Sequence, residues 1–392
     1  MRINIVKSGI HTLAAFVFSV PGWGASLMVY PSSIELTGRN ATQILAVSRE
    51  GHEVTAECTF TPDNPALLTI SKEAIITAQA DGQTRLKISC SGSQTVVPVK
   101  IVAARQQPKL SFVKDVVPIF TMAGCAGSNC HGSIRGQHGF KLSLFGYEPD
   151  LDYKAIGPRI DRNHPEQSLI LQKPTFQKQH GGGQRFTIDS LQYRTILEWI
   201  KDGASYDSAG SPRIAKLTVY PQEVTLRGQG DKQQLIATAS YTDGTRRDVT
   251  HLVAYSSNNP DTVQVSADGK IEGLKPGETA VMVRTLGQAV AAKIYVPQSP
   301  LNHPFPDIPR NNYIDEFVFS KLKRLNIEPS ALSSDEQFLR RMYLDTIGLL
   351  PTQKEVEDFL ASKAPNKRAA LIDALLERPE FSEYWALKYT EL

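Results

Sequence analysis

Two cysteines and a histidine stand together in the string Cys125-Ala126-Gly127-Ser128-Asn129-Cys130-His131. Paired thiols that add to the vinyl groups of a porphyrin, followed by an imidazole that ligates its iron, are the chemistry this order of residues serves. The usual attachment string places two residues between the cysteines, and the four found here are a rarer spacing. On this reading Cys125 and Cys130 hold haem c covalently and His131 is the proximal axial ligand. An iron that only carries electrons needs a second axial ligand. No methionine occurs between Met122 and Met282, which leaves His138, His164 and His180. His180 is the candidate distal ligand, because Gly181-Gly182-Gly183 follow it and glycine backbone allows close approach to a flat group. His138 lies only seven residues past His131 and would have to double back around the porphyrin edge, while His164, His251 and His303 fall in turn or linker segments. A second imidazole in place of a thioether predicts a lower potential than histidine–methionine ligation gives. Lys173 and Arg185 are candidates for pairing with haem propionates, or are solvated surface charges.

The same residues serve plainer ends. Cys125 and Cys130 could close a local disulfide with His131 incidental, or bind zinc with His131 and either His138 or His180. In the first case the chain is a non-redox surface protein that binds glycans or other cell-envelope partners. Covalent haem separates that alternative from an electron carrier with an unknown redox partner, whereas peroxide reduction would require an open iron position. Elsewhere no Gly-x-Ser-x-Gly, His-Glu-x-x-His or phosphate-binding loop occurs. Asp335, Asp345 and Glu355 fall at helix caps or on helix faces. An electron-transfer role is therefore expected ahead of catalysis.

Any such site must be positioned by residues 107–208. Phe112, Val116, Ile119 and Phe120 follow helical spacing, with Pro118 acceptable only near a helix start. Ile188, Leu191, Leu197, Trp199 and Ile200 predict a second helix that Gly203 terminates. One helix before the Cys-Cys-His string and one at the end is the layout of a small all-α cytochrome c-like domain.

At 392 residues the chain calls for several domains, and its net charge of +3 is too small to suggest nucleic acid. Residues 1–25 read as a secretory signal: Arg2 and Lys7, an apolar run over Ile10–Val20, then Gly24, Ala25 and Ser26. Export to the periplasm or cell surface follows, and no later segment is apolar enough to span a membrane. An oxidising exterior suits both haem attachment and disulfides.

Two segments repeat. Val29-Tyr30-Pro31, Leu36 and Gly38 return as Val219-Tyr220-Pro221, Leu226 and Gly228, and Gln43-Ile44-Leu45-Ala46 is echoed one residue further along by Gln234-Leu235-Ile236-Ala237. Short alternating strands with turns at Asp243-Gly244, Asp268-Gly269 and Pro276-Gly277 predict β-sandwiches over 27–104 and 213–297. Cys58 and Cys90 fall within strands of the first copy and are a disulfide candidate that would bridge its two sheets, or are two buried free thiols. With Arg247-Asp248-Val249-Thr250 and Gly277-Glu278-Thr279-Ala280, the second copy resembles the bacterial Ig-like group 2 domain, of which the first copy is a divergent sister.

A Pro-rich linker, 298–310, leads to a helical region, 311–392. Ile314, Phe317, Val318, Leu322 and Leu325 form one apolar stripe, and Leu371, Ile372, Leu375 and Leu376 another. Ser334 with Gln337 and Thr352 with Glu355 read as capping boxes. The aromatic face of Phe381, Tyr384 and Trp385 at the very end suggests an incomplete domain.

Taken together, Cys125–Gly132, Gly139-Phe140-Lys141-Leu142-Ser143-Leu144-Phe145-Gly146-Tyr147, His180-Gly181-Gly182-Gly183, Tyr343-Leu344-Asp345-Thr346-Ile347-Gly348 and Trp385-Ala386-Leu387-Lys388-Tyr389 resemble the secreted planctomycete-type multidomain cytochrome proteins. The resemblance implies a cytochrome c-like module joined to Ig-like domains that act as spacers or binding modules, and to the start of a helical domain without established chemistry. It also implies an exported c-type haem protein tied to polysaccharide metabolism. Relatives of that kind carry Met-Pro-Pro where this chain has His180-Gly181-Gly182, a departure that favours two imidazole ligands here.

Overall fold

The computed structural model describes residues 26–107 and 109–391, so the expected signal at 1–25 lies outside the described residues. The chain divides into two compact units, one ending at Ile327 and one spanning Glu328–Leu392.

Alternating apolar residues build the first sandwich. In the strands Gly82–Cys90 and Ser93–Val102, Leu86, Ile88 and Cys90 face the core with Val97, Val99 and Ile101, while the intervening side chains are exposed or half-buried. Its largest sheet runs Ile34–Thr37, Ser93–Val102, Gly82–Cys90, Cys58–Pro62, with the first pair parallel. Two three-stranded sheets complete it. The second sandwich repeats this order strand for strand, its main sheet running Glu223–Thr225, Gln288–Val296, Gly277–Thr285, Ala254–Ser257. Tyr30 pairs with Ala46 as Tyr220 pairs with Ile236, so Gln43 is equivalent to Gln233, and the string echo at Gln234 is one position out of structural register. The hairpins account for the divergence of the copies. The first turns on Glu50-Gly51, both at positive φ, whereas the second uses the longer Asp243-Gly244 turn, with Asp243 accepting from the Thr245 amide at 2.9 Å.

Cys58 and Cys90 are disulfide-bonded. The bond does not bridge the two sheets: it joins directly paired residues of the neighbouring strands Cys58–Pro62 and Gly82–Cys90. Two half-cystines both in strands were compatible with either placement, and only the strand order decides between them. Replacing both by serine frees a crosslink across a sequence separation of 32. Such a loop is expected to cost about 3–4 kcal/mol, read as a lower denaturant midpoint under non-reducing conditions. An unchanged midpoint would show that strand pairing alone holds this edge.

The Ig-like modules dock directly on each other. The rings of Tyr30 and Tyr220 stack with centroids 3.9 Å apart. Asp248 accepts from the Ile44 amide at 2.7 Å, and Glu53 accepts from the Gln234 amide at the equivalent place on the other copy. Two desolvated carboxylates thereby satisfy amides that strand pairing leaves free.

Among the described residues of 107–208 there are helices and turns, with an isolated bridge between Gln137 and Phe140 in place of strands. The first helical run begins at Phe112, capped by Ser111, whose hydroxyl accepts from the Lys114 amide at 2.9 Å. Its opening turn is wide, with i to i+5 bonding, so Pro118 sits at the start of the tighter helix Val117–Met122 and breaks no bond. The terminal helix is Leu191–Lys201, and Gly203 at φ +93 follows it. Ile188 precedes the helix and is exposed, as is Leu191; the buried face is Tyr193, Ile196, Trp199 and Ile200. These pack with Phe112, Ile119, Leu142, Ile156 and Cys125 in one core.

The helix Tyr313–Arg324 belongs to the first unit and not with the helices after it. Its Lys321 and Arg324 pair with Glu278 and Glu223 of the second sandwich, and Leu325 is buried. The stripe of Ile314, Phe317 and Val318 is exposed. Asn312 and Asp315 form its capping box.

The second unit holds helices Asp335–Ile347, Gln353–Ala361, Lys367–Leu376 and Pro379–Thr390. Leu339, Tyr343, Ile347, Phe359 and Leu375 are its core. Thr352 and Glu355 make a reciprocal capping box, while Ser334 caps through its hydroxyl alone. Trp385, Leu387 and Tyr389 are exposed.

Candidate functional site

The four residues between the cysteines are taken up by a turned loop. Cys130 N–H donates to the Gly127 carbonyl at 3.0 Å and His131 N–H to the Cys125 carbonyl at 2.9 Å, which returns the chain onto itself. Gly132 is required there, since a Cβ would lie 2.2 Å from the Ala126 carbonyl oxygen. Cys125 is 5% exposed and belongs to the module core, while Cys130 is half-buried; both are free thiols. Burial pushes the Cys125 thiol up to about 12. It is therefore not a ready thiolate nucleophile. Among the described residues no group of three or more His, Cys, Asp or Glu side chains gathers to hold a metal, so the tetrahedral zinc set is not assembled.

His131 and His180 come together. Their rings lie 6.3 Å apart between centroids, with planes only 6° from parallel. Each ring is fixed through Nδ1, which donates to a backbone carbonyl: His131 to Phe140 at 2.9 Å, His180 to Gly183 at 2.9 Å. That bond sets the tautomer and leaves the Nε2 lone pair available on both rings. Gly183, at φ +69, turns the chain so that its carbonyl can reach back to His180. Burial, with smaller contributions from His180, Arg159 and Lys173, lowers the His131 pKa below the ordinary imidazole value against the opposing effect of the Phe140 carbonyl. A neutral imidazole is the ligating form.

His138 is exposed at φ +50 on the turn between Gln137 and Phe140, and His164 is exposed beside Asp161 at 3.6 Å. Neither joins the pair. Arg185 reaches Cys130 Sγ at 3.9 Å, while Lys173 is exposed. The sequence did not mark Phe140 or Arg159. Phe140 packs on the His131 ring at 4.5 Å, and Arg159 lies over the Phe140 ring at 4.2 Å. The only sequence signal for Phe140 is its place in the glycine-flanked string after His131.

The fit of a bis-imidazole iron group can be tested on these distances. Two imidazoles ligating one ion from opposite sides, with metal–nitrogen bonds of about 2.0–2.1 Å, have ring centroids roughly 6 Å apart. The 6.3 Å centroid separation matches that length, and both nearby cysteines are free thiols. Ile134, three residues past His131, is 90% exposed, and Phe176, four before His180, is 56% exposed.

Residues 214–293 match the bacterial Ig-like domain (group 2) family, and residues 313–392 match PSCyt2, a protein of unknown function (DUF1549). Among curated proteins none matches the chain. Similar solved structures include domains 5-6 of the S-layer protein SbsC, at 11% identity and TM-score 0.29 over 70% of this chain and 98% of that one. Human protocadherin-24 EC1-2 is similar at 8% identity and TM-score 0.16, over 70% of this chain and 98% of that one. The D00-D0 domain of intimin follows at 9% identity and TM-score 0.15, over 68% and 96%. Likenesses this distant carry no functional information. The chain is thus a multidomain protein of Ig-like sandwiches and helical regions. Among its described residues no helix is long and apolar enough to cross a membrane.

Proposed function

We propose that the chain is an exported c-type haem protein that carries electrons at the cell envelope, possessing one haem c on residues 107–208. The observation that carries this reading is the His131–His180 pair, parallel, 6.3 Å apart and each held through Nδ1 with Nε2 free. Cys125 and Cys130 would hold the group by thioethers, and His131 and His180 would be its axial ligands. When bound, haem supplies one-electron chemistry whose potential follows its ligands and surroundings. The protein's part is to present two imidazoles held through Nδ1 and to exclude water with the Phe112–Trp199 core. The Cys58–Cys90 disulfide supports an oxidising compartment. The Ig-like modules act as a docked pair that presents the haem module, and envelope polysaccharide is the proposed surrounding.

The test is a pyridine haemochrome spectrum of the full chain, made in a periplasm with haem-attachment machinery and then denatured. A c-type band that stays with the polypeptide is expected. His180→Met is expected to raise the midpoint potential, because a thioether ligand favours ferrous iron more than imidazole does. An unchanged potential would remove His180 from the ligand set.

A second reading is favoured by the matched Ig-like module, which the tandem sandwiches duplicate. In it the chain is a non-redox surface protein that binds glycans or other envelope partners, with Cys125 and Cys130 closing a clasp. No haem band, together with a Cys125–Cys130 disulfide in peptide mass spectra, would establish it instead.

A further inference from the structure

The ring plane of a histidine ligand is set by what holds its other nitrogen. For His131 the holder is Phe140, twice over: its carbonyl accepts from Nδ1 at 2.9 Å and its ring packs on the imidazole at 4.5 Å. Phe140 sits on a tight turn. Gln137 and Phe140 exchange both backbone hydrogen bonds, at 3.0 and 2.9 Å, around His138 and Gly139, which both have positive φ. Such a turn is exposed at its tip, and within its four residues Phe140 connects it to His131 and to the edge of the module core.

Arg159 adds a second tie, from the turn to a neighbouring helix. It stands just past the helix Pro149–Ile156, and its guanidinium lies over the Phe140 ring at 4.2 Å. It donates to the Gly139 carbonyl at 3.1 Å on the turn and to the Ala155 carbonyl at 2.7 Å on the helix. Only a planar fork can stack on a ring and bridge two carbonyls together; a lysine ammonium cannot replace it.

We infer that Arg159 is a positioning residue for His131: by clamping the 137–140 turn to the helix, it fixes the plane of the His131 imidazole parallel to that of His180. The inference rests on the bis-histidine haem reading above. On the His180 side the carbonyl of Gly183 does the corresponding work within three residues, so His131 depends on a distant side chain and His180 does not.

The orientation of two axial imidazoles is read directly in ferric low-spin haem. Parallel planes give a rhombic electron paramagnetic resonance signal, and crossed planes give a strongly anisotropic one with a single high-g feature. The haem-loaded full chain is expected to give the rhombic signal. Arg159→Met should convert most of it to the high-g form, and Arg159→Lys should behave as the methionine variant does. Arg162→Met, which alters an exposed arginine that reaches the Gly203 carbonyl at 3.5 Å, should leave the signal unchanged. Retention of the full rhombic signal in Arg159→Met would overturn the inference.

If the chain takes up no haem, the reading beneath the inference fails, and the clamp is then read in the unloaded protein. There the imidazole ¹⁵N shifts of His131 at neutral pH should report a single Nδ1–H tautomer, replaced by a mixture in Arg159→Met. Identical shifts in both proteins would sink the clamp as well.

Discussion

Replacing Cys125 and Cys130 together by serine is expected to reduce haem retained through denaturation at least tenfold per polypeptide, measured by pyridine haemochrome absorbance. Thioether attachment needs a thiol at each vinyl group, and a serine hydroxyl does not substitute for it. The two positions differ in what else they do. Cys130 is half-buried and its replacement should leave the fold intact. Cys125 is a core residue, so a serine there also places a hydroxyl among Phe112, Ile119 and their neighbours, where an unpaired polar group costs about 1–3 kcal/mol. Cys130→Ser alone is therefore the cleaner probe, and a haem band shifted to the position of a single thioether is its expected signature. Full retention of the c-type band by the double variant would remove these cysteines from the attachment chemistry.

Trp199→Ala is expected to be the most damaging single change to the module of residues 107–208. The side chain is 1% exposed and packs on Phe112 with ring centroids 5.2 Å apart, while its Nε1 donates to the Ser205 carbonyl at 3.0 Å. Truncating a buried tryptophan typically costs about 3–5 kcal/mol, most of it lost contact and cavity. Loss of the Ser205 bond adds to that by leaving a backbone acceptor unpaired. Trp199→Phe separates the two effects, since it keeps much of the packing and loses the hydrogen bond. Calorimetry of the full chain should show the methyl-sized residue causing the larger downward shift. Equal melting of Trp199→Ala and the parent would mean that the module's core lies elsewhere.

The local parts of the architecture were legible because they depend on local chemistry. Asp243-Gly244 makes a hairpin wherever two strands flank it, and Thr352 with Glu355 makes a reciprocal cap from four consecutive residues. The Val-Tyr-Pro repeat marked two modules, and strand order then matched throughout. Apolar stripes were less informative. The spacing of Ile314, Phe317 and Val318 shows that a helix has an apolar face, but not that this face is buried, and it is exposed. Helical periodicity likewise placed Ile188 and Leu191 on the inner face of a helix that begins three positions after Ile188 and turns Leu191 outward.

For the site, the sequence alone determined which groups are available: two thiols, an adjoining imidazole, no methionine in the relevant span, and a histidine before three glycines. Those are statements about composition and spacing, and covalent connectivity settles them. The tertiary structure decided which histidine faces His131, at what distance and in what plane, because residues 131 and 180 meet only through the packing of helices between them. It also decided that Cys58 and Cys90 join neighbouring strands of one sheet. Arg159 came to light for the same reason. An arginine 28 residues from a histidine has no sequence signature as its support, since stacking and forked hydrogen bonding are properties of a folded neighbourhood.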